Sequence, residues 1–209
     1  MINIDTYETL SRDYGHLSSW ALWDNSDIGN LNILKSENFD SIRTLLKPEI
    51  VLVALNVSAL LPDESFANFH SANTDASKKP LEKLRNALCG TVASGAYITD
   101  IIKFRNEKRE IFEDSNSTSV QKTLTGNPDL LCFNLKIFDQ ELNSLKVKNK
   151  VLIALGGAAE KYLKEYRKRC GNTAGHLAKI YHYSYRFKGF HELPKYKEHV
   201  EKELSELEL

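Results

Sequence analysis

Four short apolar runs, separated by stretches with helical spacing, constrain the fold of this chain more than any other feature. The runs cover residues 50–56, 96–101, 151–155 and 178–182. Near-continuous apolar runs of this length are typical of parallel strands that are buried on both faces. The sequence therefore predicts a four-stranded parallel sheet with helices on both faces. With 209 residues, the chain is long enough for one such α/β domain, and we expect a single domain over residues 1–209.

The spacing of apolar residues also predicts the helices around these strands. We expect one amphipathic helix, or two short ones, over residues 5–23, and a final charged helix that begins at Pro194. Four further helices are predicted over residues 40–47, 80–89, 129–142 and 158–169. Asp129 is expected to cap the third of them. Residues 57–79 are predicted to form a long loop, and the Ser- and Asn-rich segment 105–128 a mobile excursion.

The charge is balanced overall but unevenly distributed. The formal net charge is zero, which argues mildly against a protein that binds nucleic acid. Residues 1–70 carry a balance of −6 and residues 71–209 a balance of +6. Residues 145–190 hold eleven Lys or Arg against two Glu, and they include two of the predicted strand ends. A basic face beside a binding site and a solvated, lysine-rich helix face are both consistent with this distribution.

Several classes of protein are excluded or disfavoured by composition. No apolar stretch reaches the roughly 18 residues of a membrane helix, and the N-terminus lacks the pattern of a signal peptide. Cys89, Cys132 and Cys170 have no metal-like spacing, so we expect reduced thiols in a cytoplasmic protein. A four-cysteine metal site or iron–sulfur cluster is excluded, and no cofactor is predicted. No Gly-x-Gly-x-x-Gly follows the first strand, which argues against a dinucleotide enzyme.

Each predicted strand ends in a short polar cluster. The clusters are Asn56-Val57-Ser58, Asp100, Gly156-Gly157 and His182-Tyr183-Ser184. In open parallel sheets, ligands bind outside the carboxyl ends of the strands. We therefore expect these four clusters to form one site.

The four clusters, in this order, resemble the motifs of the uracil-DNA glycosylase superfamily. The matching positions are Leu55-Asn56-Val57-Ser58, Tyr97-Ile98-Thr99-Asp100, Ala154-Leu155-Gly156 and His182-Tyr183-Ser184. The resemblance covers roughly residues 50–190. It implies a three-layer α/β/α sandwich with a central four-stranded parallel sheet, and DNA as the partner.

The resemblance also implies roles for individual residues. Asn56 would position the water that attacks the sugar, and His182 would donate a hydrogen bond to the leaving base. Asp100 would contact the base edge, with Phe69 and His70 near its face. Ser184 would contact a DNA phosphate, and Ser58 is also predicted to bind DNA. Independently of the resemblance, Gly156 and Gly157 before a helix can bring backbone N–H groups close to a phosphate, and Arg186 could add a charge-assisted contact. These residues also have structural alternatives. Asn56 could cap a turn, Phe69 could anchor the loop, and the two glycines could allow close packing of strand and helix.

Three positions differ from the pattern of the superfamily. Val57 and Tyr183 replace prolines, and Asp100 replaces the Asn that reads uracil. An ionised Asp offers only acceptors, whereas an amide offers one donor and one acceptor. A base edge with two donors, or a protonated Asp100, is therefore expected. The resemblance implies hydrolysis of the N-glycosidic bond of a damaged or deaminated base in DNA. The alternative is a non-catalytic protein that binds nucleic acid or a nucleotide with the same fold.

Overall fold

The computed structural model describes residues 1–57, 64–70, 75–113, 116–170 and 174–207, with the side chains of 75–77 and 174 left out. Its sheet contains five strands: β1 (Ser18–Trp20), β2 (Lys47–Asn56), β3 (Ala96–Ile102), β4 (Lys150–Leu155) and β5 (Ala174–Ile180). Their order across the sheet is β1-β3-β2-β4-β5. The α/β class is thus confirmed, with β2 to β5 mutually parallel.

The prediction of a four-stranded sheet is corrected by β1, which pairs antiparallel to β3. Its three residues fall within residues 5–23, which were predicted to be helical. That prediction was made because the apolar residues of this segment fit a helical spacing. The helix ends at Tyr14, and Ser18 and Ser19 are buried by strand pairing. Trp20 packs against Tyr97 of β3 in an edge-to-face arrangement, with ring centroids 5.1 Å apart. A contact with a strand about 80 residues away therefore overrides the local pattern.

Seven α-helices accompany the sheet in the described part of the chain. They are α1 (Ile4–Tyr14), α2 (Phe39–Ile42), α3 (Asp75–Leu88), α4 (Ser117–Gly126), α5 (Pro128–Ser144), α6 (Gly157–Cys170) and α7 (Leu193–Ser205). Three short 3-10 turns lie at Asn32–Leu34, Ser36–Asn38 and Phe187–Gly189.

Helix boundaries differ from the prediction where a cap or strand decides them. Helix α2 ends at Ile42 because the chain enters β2 at Lys47. Helix α3 begins before Pro80 and contains it. Asn116 caps α4 inside the segment that was predicted to be an irregular excursion, and Asn127, rather than Asp129, caps α5.

Alternate residues of the strands face two separate hydrophobic clusters. Val51 and Val53 of β2 belong to a cluster that includes residues of α1, α4, α5 and α6. Leu52 and Ala54 belong to a second cluster, with residues of α3 and α7. This alternation follows from the two-residue period of a strand. We call this second cluster the α3/α7 cluster.

Strand β5 begins and ends earlier than predicted. It covers Ala174–Ile180, so Tyr181 and His182 lie beyond it in a loop. The strand is at an edge of the sheet, and His176 and Lys179 are exposed. Its first half therefore lacks the apolar run by which a buried strand is identified. Among the described helices, none has the length and apolar character needed to span a membrane.

Candidate functional site

Asn56 and Asp100 lie on the same face of neighbouring strands. Asn56 is the last residue of β2, and Asp100 stands opposite Ala54 in the register of β2 and β3. Ala54 packs in the α3/α7 cluster, and Asn56 lies two residues further along the same strand. The spacing of parallel strands then separates the two residues by roughly 8 Å along the diagonal. The sheet therefore brings together two of the residues predicted for the site.

The Asp100 side chain is buried and held by one neighbouring amide. It is 3% exposed, and its Oδ2 accepts a hydrogen bond from Asn68 Nδ2 at 3.0 Å. Asn68 Nδ2 also donates to the Leu17 carbonyl, and Asn68 Oδ1 accepts from the Phe69 N–H, so the orientation of the amide is fixed. Asp100 Oδ1 has no hydrogen-bond partner in the part of the chain that the structure describes.

Burial has the largest effect on the pKa of the Asp100 carboxyl group. Burial raises the pKa of Asp100 from its ordinary 3.8 to about 7, although the charge of Lys103 and the hydrogen bond from Asn68 oppose the change. Near neutral pH, the acid and its carboxylate are both well populated.

Phe69 and His70 directly follow Asn68 in a short buried segment. Phe69 is buried in the α3/α7 cluster with a left-handed φ of 65°, and its carbonyl accepts from Trp23 Nε1 at 3.1 Å. The His70 ring is fully buried, lies 5.4 Å from the Trp23 ring and bonds the Trp20 carbonyl through Nε2. Burial lowers the pKa of His70 to about 4. These contacts favour an anchoring role for both residues, and contact with a base stays a prediction.

His182 begins the turn after β5, where Ser184 controls its tautomer. The Ser184 N–H donates to His182 Nδ1 at 3.2 Å, and Ser184 Oγ lies 2.8 Å from the same nitrogen. A backbone N–H can only donate, so Nδ1 is an acceptor and the neutral ring carries its proton on Nε2. Burial, followed by the charge of Lys83, lowers the pKa of His182 to about 4. At neutral pH the ring is an uncharged donor through Nε2.

Gly156 supports His182 from the adjacent strand end. It has φ +92°, and a Cβ added there would lie 3.1 Å from the His182 Cβ. Its N–H donates to the Ile180 carbonyl at 2.8 Å, so this group is already used within the protein. The contact favours packing as the role of Gly156. Gly157 is exposed with open space around it, and its predicted phosphate contact remains a prediction.

Tyr183 packs on His182 and against the α3/α7 cluster. Its ring stacks on the His182 ring, with centroids 4.2 Å apart and planes inclined by 27°. The Tyr183 hydroxyl makes no hydrogen bond to any residue that the structure describes. Burial and then the negative charge of Asp100 raise the pKa of Tyr183, so the two side chains interact electrostatically. The turn after β5 therefore lies on the side of the sheet that Asp100 faces, since Ala54 of the same cluster pairs with Asp100.

Two residues that the sequence did not single out also contribute to this site. Asn68 orients Asp100, and Lys83 of α3 holds the chain after β5. Lys83 Nζ donates to the carbonyls of Phe190 at 2.7 Å and Tyr185 at 3.3 Å. Neither residue belongs to a motif; Asn68 only adjoins Phe69 in the sequence. Arg186, exposed beside Lys83, was predicted to contact phosphate, whereas Ser58 lies outside the described residues.

The opposite face of β3 carries a buried ion pair. Lys103 Nζ lies 2.8 Å from Glu141 Oε2, and both side chains are fully buried. Glu141 Oε1 accepts from the hydroxyls of Thr99 and Tyr97, and Lys103 Nζ also contacts Thr99 Oγ1. This network joins α5 to the strand that bears Asp100.

The basic stretch 145–190 is partly neutralised within the fold. Glu160 pairs with Lys164 and Lys179, and Glu165 pairs with Arg169 and Lys168. These pairs favour the interpretation of the α6 lysines as a solvated helix face. The end of the same stretch, after β5, carries basic side chains without these pairs, because exposed Arg186 and Lys188 flank Phe187, whose exposed fraction is 75%.

Comparison with known proteins adds no assignment to this site. In the described ranges, no group of three or more His, Cys, Asp or Glu could hold a metal ion, and the three cysteines are free thiols. No protein-family model matches the chain, and no curated protein matches it significantly.

Proposed function

We propose that this chain is a cytoplasmic enzyme that hydrolyses the N-glycosidic bond of a damaged or deaminated base in DNA. Its fold would be a three-layer α/β/α sandwich of the uracil-DNA glycosylase type, in which the four parallel strands form the centre. The observation that carries the proposal is the state of His182, a neutral imidazole with its proton on Nε2. It lies two residues beyond the end of β5, and the Tyr183 ring stacks on its ring.

A neutral donor suits the departure of a base. The base leaves with the electron pair of the glycosidic bond, so negative charge develops on its ring. A preorganised N–H donor stabilises that charge, and the loss of one such donor typically lowers the rate by about 10²- to 10³-fold. Ser184 is a positioning residue in this mechanism because its N–H holds the His182 tautomer.

Asn56 would supply the polar group on the sugar side. It is 9% exposed, and its Nδ2 donates to the Val57 carbonyl at 3.1 Å. The bond breaks through an oxocarbenium-like state, which a positioned water then captures. No Asp or Glu occupies positions 56 to 58. Asn56 would thus orient this water without acting as a strong base.

The turn with Phe187 offers a surface for DNA. An exposed aromatic ring between two cations, five residues after His182, combines a surface for stacking with charges that attract phosphates. Base extrusion requires such contacts because an enzyme must replace the stacking that the flipped base loses.

An excision assay tests this proposal. Purified protein is incubated with duplex and single-stranded oligonucleotides that carry uracil, hypoxanthine, xanthine or a mismatch, and abasic sites are detected by alkaline cleavage. At least one of these substrates should be cleaved, and His182→Ala should reduce turnover by about 10²-fold or more. His176→Ala, which alters an exposed histidine of β5, is the matched control and should retain full activity. Full activity of His182→Ala would exclude His182 from the chemistry.

The second candidate is a non-catalytic protein that binds nucleic acid or a nucleotide through the same site. The stacking of Tyr183 on His182 favours it, because one face of the proposed donor ring is covered. Binding of base-modified DNA without abasic product, under all conditions of the assay, would support this candidate against the enzyme.

A further inference from the structure

A groove between the start of α1 and the start of α2 combines an apolar lining with an acidic rim. It holds about 710 Å³ of space. Ile2 and Phe39 form its buried part, with exposed fractions of 6% and 5%, and Ile4 is exposed at its edge. Glu8 and Glu37 are exposed on its rim. We call this site the acidic groove.

The negative charge of the acidic groove is only partly neutralised within the fold. Its Asp40 lies 3.7 Å from Arg43, which also lines the groove. Glu8 and Glu37 form no ion pair with any residue that the structure describes. The groove belongs to the segment 1–70, whose charge balance is −6. A ligand that complements it is therefore apolar and positively charged.

The chain itself carries a surface of this complementary character. Phe187 is 75% exposed between Arg186 and Lys188, and neither cation forms an ion pair with a described residue. We call this tripeptide the Phe187 turn. Single exposed apolar residues are normal, but the described residues expose only five large ones. Three of these five, Met1, Ile4 and Phe187, lie in the acidic groove or in the Phe187 turn.

The groove and the turn of one molecule lie on opposite sides of its sheet. Ile2 and Phe39 pack in the cluster that includes residues of α1 and α5. Tyr183 and Phe190, which flank the turn, pack against the α3/α7 cluster on the other face. Lys83 fixes both ends of the turn through two carbonyls, so the turn does not swing around the sheet. The turn can therefore reach only the groove of another molecule.

We propose that the acidic groove binds the Phe187 turn of a second copy of this chain. The Phe187 ring would lie against Ile2 and Phe39, and its flanking cations would pair with Glu8 and Glu37. Because groove and turn face different sides, two copies do not make both contacts at once. The interface is then heterologous, and each assembly keeps one free groove and one free turn at its ends. Association should thus continue beyond a dimer, whether or not the proposed function holds.

Two complementary variants test this inference by sedimentation velocity at low salt. The groove variant carries Glu8→Lys and Glu37→Lys, and the turn variant carries Arg186→Gln and Phe187→Ala. The wild-type protein should form species larger than a dimer as its concentration increases. Each variant alone should associate at least about 10-fold more weakly and sediment as the 23.8 kDa chain. Mixed together, they should form a 1:1 complex and nothing larger, since one supplies the intact turn and the other the intact groove.

A control variant separates the groove from the effect of net charge. Glu107→Lys with Glu206→Lys makes the same change of charge at exposed positions outside the groove, and it should associate like the wild type. Melting temperatures verify that the variants are folded. Raising NaCl from about 0.05 M to about 0.5 M should weaken the assembly, because salt screens exposed charges.

Four results would overturn the inference. They are a wild-type protein that stays monomeric up to about 1 mM, a wild-type assembly that stops at a dimer, equal dissociation of the groove and control variants, and a mixture of folded groove and turn variants that forms no complex.

Discussion

Replacing Asp100 by Asn should stabilise the folded protein at neutral pH and leave its stability nearly unchanged at pH 4. Asn is almost isosteric with Asp, and its side-chain oxygen can still accept the hydrogen bond from Asn68. The substitution removes only the ability to ionise in a buried position, where a charged group is strongly disfavoured.

The magnitude follows from the pKa of Asp100, which burial raises from 3.8 to about 7. Between these two pH values the folded protein holds a proton that the unfolded chain has released. The free energy of unfolding of the wild type therefore falls by about 1.4 kcal/mol for each pH unit in this window. Over about three pH units the penalty grows to roughly 4 kcal/mol, and above pH 7 it stays constant. The Asn variant does not have this penalty.

Urea unfolding of both proteins at pH 5, 6, 7 and 8, followed by tryptophan fluorescence, measures the difference. We expect the advantage of Asp100→Asn to increase by about 2 kcal/mol or more from pH 5 to pH 7. Asp129→Asn, on an exposed residue in the first turn of α5, is the control and should show a difference that does not vary with pH. A constant difference for Asp100→Asn across this range would refute the conclusion that burial suppresses ionisation.

Three further substitutions test other parts of the structure. Lys103→Met should destabilise the fold by about 3–5 kcal/mol in urea unfolding, since it leaves Glu141 charged and unpaired, and a second change, Glu141→Leu, should recover most of the loss. Phe187→Ala should weaken binding to a fluorescent DNA duplex by about 10-fold, measured by anisotropy, without lowering the melting temperature. Gly156→Ala should lower stability by about 1 kcal/mol or more, because its φ is left-handed and its Cβ would crowd His182, whereas Gly157→Ala should be tolerated. In the proposed enzyme, Gly156→Ala should also reduce excision.

The buried strands could be predicted from the sequence because they are nearly continuous apolar runs. The predicted range 151–155 differs from β4 by a single residue, and 96–101 differs from β3 by one. The short strand β1 could not be predicted in this way. Its serines are buried through strand pairing and through the bond from Ser19 Oγ to the Phe66 carbonyl, a contact between distant parts of the chain.

The candidate site also contains residues that the sequence indicated and residues whose role only the folded structure reveals. Ligands bind beyond the carboxyl ends of parallel strands, and this rule indicated Asn56, Asp100 and His182 because they directly follow or end apolar runs. Asn68 and Lys83 were missed because their importance comes from the carboxylate and carbonyls that they contact in the folded state. The packing of Tyr183 against the α3/α7 cluster joins distant parts of the chain, so no local pattern contains it.

The attachment of the turn after β5 to Lys83 has a consequence for binding kinetics. One ammonium group bonds the carbonyls of Tyr185 and Phe190, so only the four residues 186–189 span the interval between two fixed points. The Phe190 N–H also donates to the Phe187 carbonyl within this interval. A segment restrained in this way loses little conformational entropy when a ligand contacts it. Phe187 is therefore presented to a partner in a preorganised position, and association should not wait for the turn to fold.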